Sequence, residues 1–245
     1  MEPQVEFLLR LGDNTLILGH RISEWCGHAP VLEEDIALAN VALDLIGQTQ
    51  LWLGLAAQRE GQGRSADDLA FLRDAWDFRN LLLVEQPNGD FARTMMRQFL
   101  FDAWHHPYLQ ALTKVNDDEI AAIAAKSLKE VTYHLERSAD VVIALGDGTE
   151  ESHTRMQAAL DHMWPYAGEA MVSDNVDAVI EMDSDTVSTA FRATVTNVLT
   201  EATLPPPDSG FAHKGGKSGA RHSEHLGHLL TSMQWLQRAY PGATW

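Results

Sequence analysis

The sequence has a single cysteine, Cys26, and few basic residues for its length of 245. One thiol cannot form an intrachain disulfide, which is typical of a protein in a reducing cytoplasm. Lysine and arginine together number 18 against 35 acidic residues, so the formal net charge is −17. Nucleic acids and anionic membrane surfaces bind positively charged faces, so this composition argues against both as partners.

Long apolar runs are also missing. No uninterrupted apolar stretch approaches the roughly 20 residues that a membrane span needs. The start, Met1-Glu2-Pro3-Gln4, lacks the basic and then apolar segments of a signal peptide. We find no convincing strand pattern, tandem repeat or low-complexity tract. The sequence therefore predicts a cytoplasmic, all-α protein.

Hydrophobic residues make up 45% of the chain, and in several long segments they recur at helical spacing. The four main segments predict helices at residues 5–25, 32–60, 91–113 and 117–146. Further helices are predicted at 149–172, 184–204 and 222–239. We expect a single domain over residues 1–245, a bundle of four long antiparallel helices with additional helices around it.

The second predicted helix, residues 32–60, is apolar nearly all round. Its one polar line consists of Asn40, Asp44 and Gln48, which are spaced four apart and so share a face. A helix of this kind lies at the centre of a bundle or is covered by a partner.

The carboxylates of the four main helices follow part of the pattern of a ferritin-like di-iron centre. Such a centre takes one carboxylate from each of two helices and a Glu-x-x-His pair from each of the other two. Here the second helix has Asp44 followed by Gly47, the third has Asp102, and the fourth reads Val131-x-x-His134. The first helix shows no acidic residue on its inner stripe in the last turns before Arg21, where residues 16–19 are Leu-Ile-Leu-Gly. At most three of six ligands remain, so we predict a ferritin-like scaffold that holds no metal.

Two residues favour the alternative of a di-iron oxygenase or ferroxidase that is active in its own right. His105 follows Asp102 by three positions, and Glu130 precedes His134 by four. We expect Glu130 to face solvent, a partner or an ion pair, and His105 to be a buried, hydrogen-bonded histidine.

An unpaired buried charge costs several kcal/mol. Without metal, the remaining polar groups therefore predict a hydrogen-bonded cluster that includes a cation such as Arg21. Its expected members are Asp44, Asp102 and His134.

The C-terminal region contains histidines and the only local concentration of positive charge. His222, His225 and His228 are spaced by three, drift by about 60° per step round a helix, and therefore do not converge on a metal. The loop at 208–221 carries three cations that could contact an anion or a partner, and a weaker alternative is an acyl-CoA-binding module. These cations are Lys214, Lys217 and Arg221.

Several longer motifs resemble the PaaC family, the C-type components of bacterial phenylacetyl-CoA epoxidases, and the resemblance runs over most of the chain. The motifs are Leu11-Gly12-Asp13-Asn14, Glu24-Trp25-Cys26-Gly27-His28-Ala29-Pro30, Asn80-Leu81-Leu82-Leu83-Val84-Glu85-Gln86-Pro87-Asn88-Gly89, Asp102-Ala103-Trp104-His105, Tyr133-His134-Leu135 and Glu224-His225-Leu226-Gly227, with Pro241-Gly242 and Trp245 at the end.

The resemblance implies a ferritin-like structural subunit that supports a paralogous A-type component, which holds the di-iron centre and binds phenylacetyl-CoA. A reductase delivers electrons from NADPH, small accessory proteins complete the complex, and O₂ is used to epoxidise the aromatic ring. No cofactor and no catalytic residue are expected on this chain, because the matching positions are the altered ones.

Overall fold

The computed structural model describes residues 1–208 and 213–243. Within these residues the chain is helical and has no strand, so the predicted all-α, ferritin-like class is confirmed. The helices are α1 Pro3–Ser23, α2 Leu32–Glu60, α3 Ala66–Phe71, α4 Leu82–Glu85, α5 Phe91–Leu112, α6 Asp118–Gly146, α7 Glu150–Ala167, α8 Ser184–Glu201 and α9 Glu224–Ala239.

The helix boundaries predicted from sequence agree with the observed boundaries to within a few residues, and both boundaries of α2 are identical. The largest difference is at the end of α7, which stops at Ala167 and continues as a 3-10 turn, Gly168–Met171, because Pro165 lies inside its last turn. Residues 209–212 of the predicted basic loop, and Trp245, lie outside the described residues.

The chain divides into two compact units, and the first comprises Met1–Pro87 and Lys214–Trp245. In this unit α1 packs along α2. Gly12 of α1 permits the close approach, since a Cβ atom there would lie 2.4 Å from Leu53 Cδ2 of α2. One turn further on, the hydroxyl groups of Thr15 and Thr49 are hydrogen-bonded at 2.8 Å. Helix α9 packs on α3 and on the 3-10 turn Ala75–Asp77.

The second unit, Asn88–His213, is built around α5. Helices α6, α7 and α8 all contact α5, so most of its side chains are buried. Helix α6 meets the segment after α8 closely at Gly146, where a Cβ atom would lie 2.5 Å from the carbonyl oxygen of Ala202. The single domain expected from sequence stays a prediction.

Helix α2 is less enclosed than its apolar sequence suggests. Leu32, Ile36 and Leu43 have exposed fractions of 71%, 54% and 66%. By length and composition alone α2 could cross a membrane, but core helices of soluble proteins share this property. The sequence predicted that α2 lies either at the bundle centre or under a partner. A position at the bundle centre does not account for the exposed face, and cover by a partner stays a prediction.

The buried stripe of α6 differs slightly from the predicted one. The helical spacing of apolar residues in this segment predicts Leu128 and Leu135 inside and His134 at the edge of the stripe. In the structure both leucines are half-buried, whereas His134 is 1% exposed. The buried residues follow a spacing of four and three along most of the helix: Ile120, Ala124, Ser127, Val131, His134, Ser138 and Val142.

Candidate functional site

Asp102 is the centre of the polar cluster inside the second unit. Its carboxylate is fully buried on α5. One oxygen, Oδ1, accepts a hydrogen bond of 2.8 Å from Nε2 of Gln98, one turn earlier on the same helix. The other, Oδ2, accepts a hydrogen bond of 2.9 Å from Oγ of Ser138 on α6. Both oxygens that could bind a metal are therefore engaged by side chains of the protein.

Burial determines the protonation of Asp102. Desolvation raises the pKa of this carboxyl to about 7, although His134, Ser138, Gln98 and Arg137 all oppose the shift. The group is thus close to its titration point at neutral pH.

His134 and Val131 show how α6 has changed at the expected ligand pair. Both side chains are buried on the same stripe, one turn apart. His134 lowers the pKa of Asp102 electrostatically, so the imidazole belongs to the Asp102 cluster. Val131, at 0% exposure, places an isopropyl group where a di-iron helix would supply a carboxylate. The hydrogen bonds to Asp102 come from Gln98 and Ser138, whereas Asp44 and Arg21 belong to the first unit, so the predicted cluster of Asp44, Asp102 and His134 with Arg21 stays a prediction.

His105 is buried, but it is not the hydrogen-bonded histidine that the sequence suggested. Within the described residues its Nδ1 atom has no hydrogen-bond partner. The ring lies 4.9 Å from that of Phe101 and stacks on Trp104 with an interplanar angle of 18°. Desolvation lowers the pKa of His105 to about 3, so the ring is neutral at physiological pH.

The expected positions on α2 belong to the first unit. Asp44 is half-buried there and takes part in polar interactions. Gly47 offers no donor atom, and a Cβ atom at this position would have no neighbour within 4 Å. The polar line predicted on α2 runs inward along its length, from an exposed Asn40 to a buried Gln48. Glu130 of α6 is half-buried, with polar interactions of its own.

A di-iron centre does not fit these donors. Among residues 1–208 and 213–243, no group of three or more His, Cys, Asp and Glu side chains could hold a metal ion. Val131 and Gly47 carry no metal-binding side-chain atoms, and Gln98 and Ser138 satisfy the oxygens of Asp102 without a metal ion. We therefore assign no chemical step to a metal on this chain.

Arg21, which was suggested as the cation of the cluster, has a different role in the first unit. Its guanidinium donates to the backbone carbonyls of Glu85, at 2.9 Å, and His225, at 3.2 Å. It also pairs with Glu24 at 3.1 Å. Arg21 thus ties α1 to α4 and to the start of α9.

Sequence reasoning missed two buried carboxylates of the first unit. Glu85, at 0% exposure, accepts hydrogen bonds from Asn80 Nδ2 at 3.0 Å, His222 Nδ1 at 2.6 Å and the Ser223 amide at 2.6 Å. His222 is therefore a structural anchor for α9, and the expectation that the three C-terminal histidines do not form a metal site stays a prediction.

The other missed carboxylate is Asp13. It forms a buried ion pair with Arg73 and accepts the backbone amide of Arg79 at 2.8 Å. Next to it, Asn14 Oδ1 accepts the amide of Leu81 at 2.8 Å. Both missed carboxylates lie in the motifs that carry the family resemblance. Their place in those motifs was the sequence signal that could have pointed to them.

The three cations of the C-terminal loop lie on either side of a glycine that packs against the backbone near Asn80 in the same unit. A Cβ atom at Gly216 would lie 2.5 Å from the carbonyl oxygen of Asn80. Lys214 and Arg221 are exposed, and Lys217 is half-buried with interactions of its own. An anion or partner contact by Lys214, Lys217 and Arg221 stays a prediction.

Comparison with known proteins agrees with these motifs. The family model described as phenylacetic acid catabolic protein matches residues 1–245. The chain is 46% identical to the C component of the 1,2-phenylacetyl-CoA epoxidase of Escherichia coli strain K12, and the match covers all of both chains. This chain is a member of the phenylacetic acid catabolic protein family.

Proposed function

We propose that this chain is a structural subunit of a phenylacetyl-CoA epoxidase in the aerobic breakdown of phenylacetate. In this role it supports a paralogous di-iron subunit and holds no cofactor itself. The full-length similarity to the C component of such an epoxidase supports the assignment. The proposed complex also includes a reductase and small accessory subunits, and it works in the cytoplasm.

The observation that carries the non-catalytic role is the engagement of Asp102. Its two oxygens accept hydrogen bonds from Gln98 and Ser138 at 2.8 and 2.9 Å. The protein's own donors therefore satisfy this carboxylate, and among residues 1–208 and 213–243 it belongs to no group of three or more His, Cys, Asp and Glu side chains that could hold a metal ion. The isopropyl group of Val131 supplies no second ligand beside it.

The exposed face of α2 is the proposed docking surface for the di-iron subunit. Its residues repeat at intervals of four and three, the spacing with which one helix packs along another. Leu43 is 66% exposed, and Gly47 and Gly54 leave open space where a partner helix can approach closely. The face consists of Ile36, Asn40, Leu43, Gly47, Gln50 and Gly54.

The test is co-purification with the di-iron subunit, combined with iron analysis of the separated chains. We expect near-zero iron on this chain, whereas about two irons per chain would support the alternative of an independent oxygenase or ferroxidase. Leu43→Glu places a charge in the centre of the α2 face and should abolish the complex. Tyr133→Glu, at a residue that is 50% exposed on α6, is the matched control and should leave the complex intact.

A further inference from the structure

A second apolar surface lies on α9 of the first unit and shares no residue with the α2 face. A groove of about 460 Å³ runs between α9 and the 3-10 turn Ala75–Asp77. Its floor is the buried side chain of Leu230, and Trp235, which is 60% exposed, forms part of its wall. We refer to this feature as the α9 groove.

The groove has the dimensions of a binding site for a helix. It extends along α9 from Gly227 to Ala239, which is roughly 18 Å at the rise of an α-helix. Small residues lie at both ends, and a Cβ atom at Gly227 would have no neighbour within 4 Å. An amphipathic helix places side chains at intervals of three and four into a groove of this kind.

Exposed aromatic residues continue beyond the groove. Trp76 and Tyr240 have exposed fractions of 65% and 57%, and Leu72, which lines a neighbouring groove with Tyr240, is 52% exposed. Tryptophan and tyrosine are enriched among the residues that dominate binding energy at protein interfaces. Contiguous apolar patches of this kind mark interaction sites on soluble proteins.

The charges around the patch select a basic partner. The carboxylates of Asp67, Asp74 and Asp77 are exposed around it. The guanidinium of Arg238 donates to the carbonyl oxygens of Leu72 and Arg73 and pairs with Asp74 at 2.8 Å. These two charges offset each other, so the excess negative charge of the border comes from Asp67 and Asp77.

The adjacent groove near Tyr240 contains a further acceptor. Within the described residues, the buried Oε1 atom of Gln237 has no hydrogen-bond partner. Lysine and arginine side chains of a partner would pair with the exposed carboxylates of the border.

We propose that the α9 groove binds a partner protein through an amphipathic helix whose apolar stripe is flanked by lysine and arginine. This partner is distinct from the subunit that docks on α2. A second copy of this chain fits poorly, because it would bring the same acidic border and a net charge of −17.

The test uses the complex of this chain with the di-iron subunit, titrated calorimetrically with the reductase and with each small accessory subunit. The use of this complex rests on the proposed function. If the complex does not form, the proposed function fails, and the α9 groove is then tested by the same titrations on this chain alone. Trp235→Ala and Asp74→Lys should each weaken the binding of one of these subunits by about tenfold or more, the scale of a hot-spot residue.

The chain offers closely matched controls. The side chains of Asp74 and Glu151 are both 76% exposed, and each pairs with one arginine, at 2.8 and 2.7 Å. Glu151→Lys therefore changes the net charge as Asp74→Lys does, but on α7. Tyr133→Ala likewise removes an exposed aromatic ring from α6. Both controls should bind as the unaltered chain does.

Three results would overturn the proposal. Unchanged affinity of every subunit for Trp235→Ala and Asp74→Lys would show that the groove binds none of them. Loss of the di-iron subunit instead would place the groove in the interface assigned to α2. Self-association of the unaltered chain that Trp235→Ala abolishes in sedimentation would identify a second copy as the occupant.

Discussion

The hydroxyl group of Ser138 on α6 donates a hydrogen bond of 2.9 Å to Oδ2 of Asp102 on α5. This bond joins the two longest helices of the second unit at a carboxylate that is fully buried. A hydroxyl donor can satisfy a carboxylate or a carboxylic acid, whereas a metal ion requires the ionised form. The interaction therefore stabilises a polar core in either protonation state.

Replacing Asp102 by Asn should remove a pH dependence of stability. Because the native pKa of Asp102 is about 7 against an ordinary 3.8, the folded chain binds more protons than the unfolded chain between these values. Stability should then fall as the pH rises from about 4 to about 7, by at most roughly 4 kcal/mol. Asp102→Asn keeps an acceptor for Gln98 and should lack this decrease in urea unfolding at pH 5, 6, 7 and 8.

The matched control is Asp140→Asn, since Asp140 is exposed on α6. It should keep the decrease with pH. Asp102→Ala, in contrast, leaves the Gln98 amide and the Ser138 hydroxyl without their acceptor and should lose about 2–4 kcal/mol at pH 5. The difference from the unaltered chain should shrink towards pH 8, because the alanine variant also lacks the titrating carboxyl group. If Asp102→Asn and the unaltered chain showed the same pH profile, Asp102 would not be the titrating group.

Restoring the missing carboxylate on α6 should destabilise the chain without creating a metal site. Val131 is 0% exposed, so Val131→Glu buries an acidic group that has no prepared partner. We expect a loss of roughly 2–4 kcal/mol and a decrease in Tm of roughly 5–15 °C. Leu128→Glu, at a half-buried position of the same helix, should cost less.

Calorimetry and iron analysis of Val131→Glu give independent readouts. Stoichiometric iron together with unchanged thermal stability would show that one carboxylate is enough to complete a metal centre here. That result would also remove the main support for a purely structural subunit.

The helices were predictable because their apolar positions repeat over long segments. The boundaries predicted for α2 match the structure, since Gly61 ends the helix in a left-handed conformation with a φ of 66°. The interpretation of Gly47 and Val131 as altered ligand positions also comes from a local pattern, the fixed spacing of a ligand pair on a helix, and it stays a prediction. The fold class follows from local patterns of the same kind.

The polar partners inside the core were not predictable in the same way. The pattern on α6 favoured Leu128 and Leu135 because they are apolar, but the small Ser138 fits the buried stripe and reaches Asp102. Asp13 pairs with Arg73, which lies 60 residues further along the chain. Periodicity within one helix contains no information about a partner on another element.

Replacing Glu85 should loosen α9 selectively. Its carboxylate accepts three hydrogen bonds, two of them from His222 and Ser223 at the start of that helix. Glu85→Gln keeps the shape of the side chain but replaces one accepting oxygen by an NH₂ group. This group then faces a hydrogen-bond donor, so at least one of the three hydrogen bonds is lost. Hydrogen exchange measured by mass spectrometry should increase in α9 and remain unchanged in α5 and α6.

Glu224→Gln is the control for this experiment, because Glu224 is exposed in the first turn of α9. It should leave the exchange of α9 unaltered. An increase that spreads evenly over both units in Glu85→Gln would mean global destabilisation and would argue against a local anchor.

Two glycines on facing helices of the first unit should respond to alanine in opposite directions. At Gly47 of α2 a Cβ atom meets nothing within 4 Å, so Gly47→Ala should stabilise the isolated chain by roughly 0.5–1 kcal/mol through helix propensity. At Gly12 of α1 the new atom would lie 2.4 Å from Leu53 Cδ2, so Gly12→Ala should cost roughly 1–3 kcal/mol. Urea unfolding of the isolated chain measures both changes.

A larger side chain at Gly47 separates folding from docking. Gly47→Leu should leave the isolated chain folded, because the open space beside α2 accommodates the side chain. It should weaken binding of the di-iron subunit, since a partner helix could no longer approach the α2 face closely. Undiminished binding by a folded Gly47→Leu variant would place that interface elsewhere, because no helix can pack closely over Gly47 and ignore a leucine there.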